Sequence, residues 1–78
     1  MKITGFIALD EEGSALLADA HGNNVAFNCL SCGHPILAIA RDHQRGFSEA
    51  SPADCKGCQQ KHFLDVRPEM EKFYVIKY

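Results

Sequence analysis

Two stretches decide how this sequence is read: Asn28-Cys29-Leu30-Ser31-Cys32-Gly33-His34-Pro35 and Asp54-Cys55-Lys56-Gly57-Cys58-Gln59-Gln60. They hold all four cysteines, as two Cys-x-x-Cys pairs with 22 residues between them. A Cys-x-x-Cys turn points two sulfurs at one centre, and two such turns supply the four thiolates of a tetrahedral zinc site. The separation slightly exceeds the common range of about 15 to 20 residues, which lengthens only the connecting loop. Gly33, directly after the second Cys, reaches the left-handed backbone that turns amide N–H groups toward the sulfurs. Pro35 then forbids helix and sends the chain out extended.

In these residues the sequence resembles the zinc-ribbon and rubredoxin-like families, whose first knuckle commonly reads Cys-x-x-Cys-Gly. The resemblance covers the two knuckles and the strands leaving them. It implies a small, mostly β, antiparallel domain with metal at Cys29, Cys32, Cys55 and Cys58. The second turn departs from the pattern, with Gly57 inside the loop and Gln59 after the second Cys. Zinc is the expected metal. Iron is the alternative and would make a rubredoxin-like electron carrier. Such carriers usually show flanking aromatic residues and Cys-Pro-x-Cys at the second knuckle; Phe27 and Phe63 can shield a metal, but the second knuckle has no Pro. A third reading leaves metal-free thiols or disulfides, although a thioredoxin-like motif needs a βαβ context that nothing here supplies.

Around the expected tetrahedron stand Gly33, His34, Lys56, Gly57 and His62. His34 lies two residues past Cys32 and His62 four past Cys58. Both histidines are expected beside the ligands or on the surface, because four cysteines already fill the coordination shell. Lys56 offsets thiolate charge. His21 and His43 fall in turns and carry no pattern. Four thiolates leave no open position, so the site is expected to be structural.

Size explains why a metal is wanted. The 78 residues are 46% hydrophobic and 23% charged, which suits one small domain spanning 1–78 and excludes intrinsic disorder. A chain of this length buries only about 60% of the surface its unfolded form exposes. A structural zinc adds roughly 10 to 16 kcal/mol of apparent binding free energy, felt largely as folding free energy. No window approaches the ~20 apolar residues of a membrane helix. Ile3 to Leu9, ending at Asp10-Glu11-Glu12, lacks the length and cleavage pattern of a signal peptide. The expectation is a soluble, cytoplasmic protein, and in a reducing compartment cysteines serve metals or redox more than disulfides.

The remaining segments read as strands. Ile3 to Leu9 is one. Asp10-Glu11-Glu12-Gly13 has the signature of a type I turn and favours a hairpin returning through Ala15 to Ala20. A short helix capped by Ser14 and stopped by Gly22 competes over residues 14–21, and strand is preferred. Gly22-Asn23-Asn24 forms a turn, and Val25 to Asn28 leads into the first knuckle. Ile36 to Ala40 suits a buried strand. Arg41 to Asp54 is a polar loop. His62 to Val66, a turn around Arg67 to Glu71, and Phe73 to Tyr78 make a hairpin.

Charge narrows the uses of such a fold. Lys and Arg number 8 against 10 Asp and Glu, a formal net charge of −2. Nucleic-acid binding needs cations to neutralise phosphate, which this balance does not supply globally. Arg41, Arg45, Lys56, Lys61 and Arg67 form a local patch only if they share a face. The last strand, Phe73-Tyr74-Val75-Ile76-Lys77-Tyr78, is apolar on both alternating sets, where a strand with one solvated face alternates cleanly. That points to a second contact, within the chain or with a partner or second copy, and the strand is also an edge for β-augmentation. No Ser/His/Asp elbow, phosphate-binding Gly loop or His-Glu-x-x-His helix is present, so no catalytic activity is expected. Asp19 with His21 and Asp42 with His43 are accidental neighbours. The expected function is a structural-zinc module acting through protein contacts, with a weak nucleic-acid ribbon or an iron electron carrier as alternatives.

Overall fold

Seven short strands make two facing sheets in the computed structural model, which describes residues 2–78. In chain order they are β1 (Ile7–Leu9), β2 (Ala18–His21), β3 (Asn24–Asn28), β4 (Pro35–Ile39), β5 (Ala53–Asp54), β6 (Lys61–Arg67) and β7 (Lys72–Lys77), with a 3-10 turn at Pro68–Met70. One sheet has the order β1-β7-β6-β5 and the other β2-β3-β4. All pairings are antiparallel except β1 with β7, which is parallel. The mostly β, antiparallel expectation holds.

Alternation places the core between the sheets. Val25 and Phe27 of β3, Ile36 and Ala38 of β4, Leu64 of β6, and Phe73 and Val75 of β7 are buried in one cluster. Full burial of such side chains contributes about 1.5 to 3 kcal/mol each. Ile36 to Ala40 is therefore not buried on both sides: Leu37 is exposed, because β4 shows its second face to solvent.

The N-terminal strand is shorter than Ile3 to Leu9. Thr4-Gly5 makes a turn in which the Phe6 N–H donates to the Ile3 carbonyl at 3.0 Å, and Gly5 takes φ +85°. That turn drops Ile3 into the core, fully buried, and delivers only Ile7–Leu9 to the sheet. The turn at Asp10 to Gly13 forms, with the Glu12 and Ser14 amides donating to Asp10 Oδ1 at 2.9 Å. The return hairpin, however, is limited to a single bridge between Leu9 and Ala15, after which the chain crosses to the other sheet as β2. Residues 14–21 contain no helix, as expected, and their strand is Ala18–His21.

The C-terminal hairpin is as expected, with β6 and β7 in register from His62 opposite Lys77 to Arg67 opposite Lys72. Its last strand is not an edge. β7 lies between β1 and β6, and over Lys72–Tyr74 its backbone is paired on both sides, while farther along the Lys77 N–H donates to Glu11 Oε1 at 2.8 Å. The outward set, Tyr74 and Ile76, is half-buried. The Arg67 guanidinium lies 5.3 Å from the Tyr74 ring centroid, and Phe63 stands directly across from Ile76. The polar loop after β4 also contains the short strand β5, which lines up against β6 just before the second knuckle.

Candidate metal centre

The first knuckle joins β3 to β4, and the second joins β5 to β6. The two have the same internal bonding. In the first, the Gly33 N–H donates to the Cys29 carbonyl at 3.0 Å and the Cys29 N–H to the His34 carbonyl at 2.8 Å. In the second, the Gln59 N–H donates to the Cys55 carbonyl at 2.8 Å and the Cys55 N–H to the Gln60 carbonyl at 2.9 Å. Gly33 has φ +82° and Gln59 +69°, so the departure from Gly after the second Cys leaves the turn unchanged at the expense of backbone strain.

These turns aim amides at sulfur. Ser31 and Cys32 donate to Cys29 Sγ at 3.3 and 3.5 Å, and Gly57 and Cys58 donate to Cys55 Sγ at 3.3 and 3.5 Å. The four sulfurs converge, all within 4.8 Å of one another. Cys29 Sγ lies 3.6 Å from Cys58 Sγ and Cys32 Sγ lies 3.5 Å from Cys55 Sγ. A tetrahedron of metal–sulfur bonds of about 2.3 Å sets its sulfurs about 3.8 Å apart, so the spacing fits a metal. The cysteines are free thiols, not disulfides.

Acidity follows the amides. Burial pushes Cys29 up, but the amides of Cys32 and Ser31 and the neighbouring sulfurs outweigh it and bring the thiol down to about 6. Cys55 is lowered in the same way, with the Cys58 and Gly57 amides acting against burial. At Cys32 the His34 amide favours the thiolate, yet proton sharing with Cys55 and Cys58 prevails and carries it to about 12. Cys58 is raised too: the Gln60 amide is outweighed by burial and by Cys29 and Cys55. Each knuckle thus offers one buried, acidic sulfur and one exposed sulfur that holds its proton.

The other expected residues take distinct places. His34 is exposed, its Nδ1 is 3.0 Å from the Pro35 carbonyl, and its ring packs over Gly57, where an added Cβ would meet the His34 Cβ at 3.1 Å. Gly57 is thus what lets the two knuckles approach. Lys56 is exposed within the second knuckle. His62 is fully buried. Its Nε2 accepts the Leu30 N–H at 3.3 Å, and its Nδ1 donates to the Gln60 carbonyl at 3.2 Å. Phe27 meets it edge-on at 5.6 Å. Phe63, the other expected shield, faces away and packs against Tyr78, because it alternates with His62 along β6.

Gln60 carried no signal in the sequence, yet it links the knuckles. Its carbonyl takes the Cys55 amide and His62, its Oε1 accepts the Ser31 hydroxyl at 3.3 Å, and its Nε2 donates to the Tyr78 carbonyl at 2.7 Å. Two of the basic residues are matched by carboxylates. Lys61 pairs with Asp54 at 3.7 Å and Arg67 with Asp65 at 2.8 Å. Arg41 follows the end of β4 remote from the knuckles, about 15 Å from the strand's start at Pro35.

Compared with models of protein families, with curated proteins and with solved structures, the chain has no match. Fold and site therefore define the class by themselves: a small two-sheet β protein whose four cysteines form a group able to hold a metal ion. Among the described residues no helix is long and apolar enough to cross a membrane.

Proposed function

We propose that this chain is a zinc-ribbon-like module whose zinc is structural and which acts through protein contacts, without catalytic activity of its own. The convergence of four sulfurs from two amide-lined knuckles carries the reading. Zinc is redox-inert, takes four thiolates as a closed tetrahedron and leaves no place for a substrate. Iron accepts the same ligands. Against an electron carrier stand the missing Pro in the second knuckle and the placement of Phe63 on the far side of its strand. Against nucleic acid stand the net charge of −2 and the pairing of Lys61 and Arg67 with carboxylates.

Protein contact is supported by the outer faces of both sheets. Leu17 is 89% exposed beside β2, and Leu37 is exposed on the same sheet. Ile7, Met70 and Tyr78 are exposed around the other. Elemental analysis of the purified protein tests the metal: one equivalent of zinc in a colourless sample is expected. A coloured protein with charge-transfer absorption that bleaches on reduction would replace this reading by the electron carrier. Binding to single- or double-stranded probes at low salt, falling steeply as salt is added, would replace protein contact by nucleic acid.

A further inference from the structure

Among the described residues, His62 is the polar or charged side chain counted with the core. Its hydrogen bonds explain why a polar ring is kept there. Of the two amides inside the first knuckle, Ser31 points at the Cys29 sulfur and Leu30 does not. A half-buried N–H without an acceptor is costly, and the Leu30 amide finds its acceptor in His62 Nε2. The tautomer follows: Nε2 carries the lone pair, so Nδ1 carries the hydrogen and donates to the Gln60 carbonyl. That carbonyl also receives the Cys55 amide. One neutral ring thus reaches from inside the Cys29–Cys32 turn to the carbonyl that closes the Cys55–Cys58 turn.

We infer that His62 is a positioning residue of the metal centre, tying the two knuckles to one another and thereby setting the spacing of the four sulfurs. The inference rests on the metal-centre reading above and adds to it a specific residue and bond pattern. The Leu30 bond fixes the first turn and the Gln60 bond fixes the second, while Phe27 packs edge-on and holds the ring between them. Groups that orient metal ligands without touching the metal commonly affect affinity by about 10- to 100-fold. The Gln60 side chain, bonded to the Ser31 hydroxyl, is a second and more exposed tie across the same gap.

The test uses the full chain loaded with cobalt(II) or zinc, and compares His62→Phe, His62→Gln and the buried control Phe73→Leu. Simple loss of packing lowers apparent metal affinity in any destabilised variant, because binding and folding are linked. It does not change the ligand field. His62→Phe is expected to weaken zinc, measured against a competing chelator, by about 10- to 100-fold and to shift the cobalt(II) d–d bands. Phe73→Leu keeps wild-type bands. His62→Gln, whose amide oxygen reaches the place of Nε2, recovers much of both properties.

Wild-type affinity and bands in His62→Phe overturn the inference, as does equal weakening in the Phe and Gln variants with wild-type bands. If His62→Phe does not fold even with metal, His62→Asn, which reaches only the place of Nδ1, is set against His62→Gln. Tighter binding by Gln supports the Leu30 bond, and equal or tighter binding by Asn refutes it. A wild-type chain that binds neither ion removes the metal-centre reading itself, and the positioning role with it.

Discussion

Gly46 lies so close to Ala38 that a Cβ on the glycine would stand 2.6 Å from the Ala38 Cβ. The residue has φ +87°, donates its N–H to the Ser51 carbonyl at 2.6 Å and accepts the Leu64 N–H at 2.7 Å. Ala38 belongs to one sheet and Leu64 to the other. The loop after β4 therefore closes the gap between the sheets through one residue without a side chain. An added Cβ would also approach the Cβ of Ala53, in β5, at 3.4 Å. Any displacement of this loop reaches the strand that leads into the second knuckle.

Gly46→Ala is accordingly expected to be among the more damaging single substitutions. It combines overpacking with a left-handed backbone that a Cβ resists, together about 3 kcal/mol. Denaturant unfolding of the metal-loaded protein measures it. Adding Ala38→Gly removes the close contact but not the backbone strain, so the double variant should recover part of the loss. Strictly additive losses would show that the contact is not the cause.

Gln59 offers the opposite sign. It holds φ +69° at the position where the first knuckle has Gly33, and an L-residue in that region is strained by about 1 to 2 kcal/mol. Gln59→Gly relieves the strain but loosens the unfolded chain by about 0.5 to 1 kcal/mol. A net gain of about 0.5 kcal/mol follows, seen as a small rise in the melting temperature of the loaded protein. Gly33→Ala, at φ +82°, should lower it by a larger step. A loss on Gln59→Gly would mean that the side chain contributes more than the backbone costs.

The same contrast shows what the sequence made legible. The knuckles were readable because cysteine spacing maps directly onto a local turn, and the β6–β7 hairpin because a turn around Pro68 separates two strand-like runs. The strand at residues 18–21 was readable only by preference over a helix, since Ala and Leu favour helix and only the shortness of the segment, about two turns, spoke against it. Parallel pairing of β1 with β7 joins residues more than 60 positions apart, such as Ile7 and Lys72, and no local pattern encodes it. For that reason the sequence could not show that β1 covers β7 over Lys72–Tyr74. Likewise β5 is two residues long, too short for any period, and exists because β6 offers it an edge. His62 and Phe63 illustrate the limit at the site: one residue of register decides which faces the sulfurs, and register is a tertiary property.

His62 also predicts a pH dependence. Burial, and then the charge of Lys77, hold its imidazole below the usual value of 6.5, against opposing contributions from the Gln60 and Ala53 carbonyls and Glu11. The unfolded chain therefore takes up a proton near pH 6.5 that the folded chain refuses until lower pH. The contribution to stability is full above 6.5 and is lost as pH falls from there toward the folded value. Acid also competes with metal for the thiolates, so the comparison is between wild type and His62→Gln at fixed excess zinc. The difference between their stability curves should change between pH 7 and 5, with wild type losing more on acidification. Parallel curves would show that the ring titrates alike in both states.

Metal binding itself should release fewer than four protons at pH 7.5, because Cys29 is already ionised there. The four sulfurs do not start alike: Cys29 lies at about 6 and Cys55 is also lowered, whereas Cys32 lies at about 12 and Cys58 is raised. A cation arriving at this pH finds Cys29 already ionised with the help of its two amide donors, and displaces the proton of Cys32. Affinity should accordingly rise with pH around neutrality, because protons compete with each ion for the thiolates. Calorimetric titration with zinc in buffers of different ionisation enthalpy counts the protons directly. A count near four would mean that the amides do not preform the thiolates. Removing an amide donor has no simple side-chain route, but Gly57→Pro deletes the N–H aimed at Cys55, and although its Cβ also presses on His34 it should raise the proton count as well as weaken the metal.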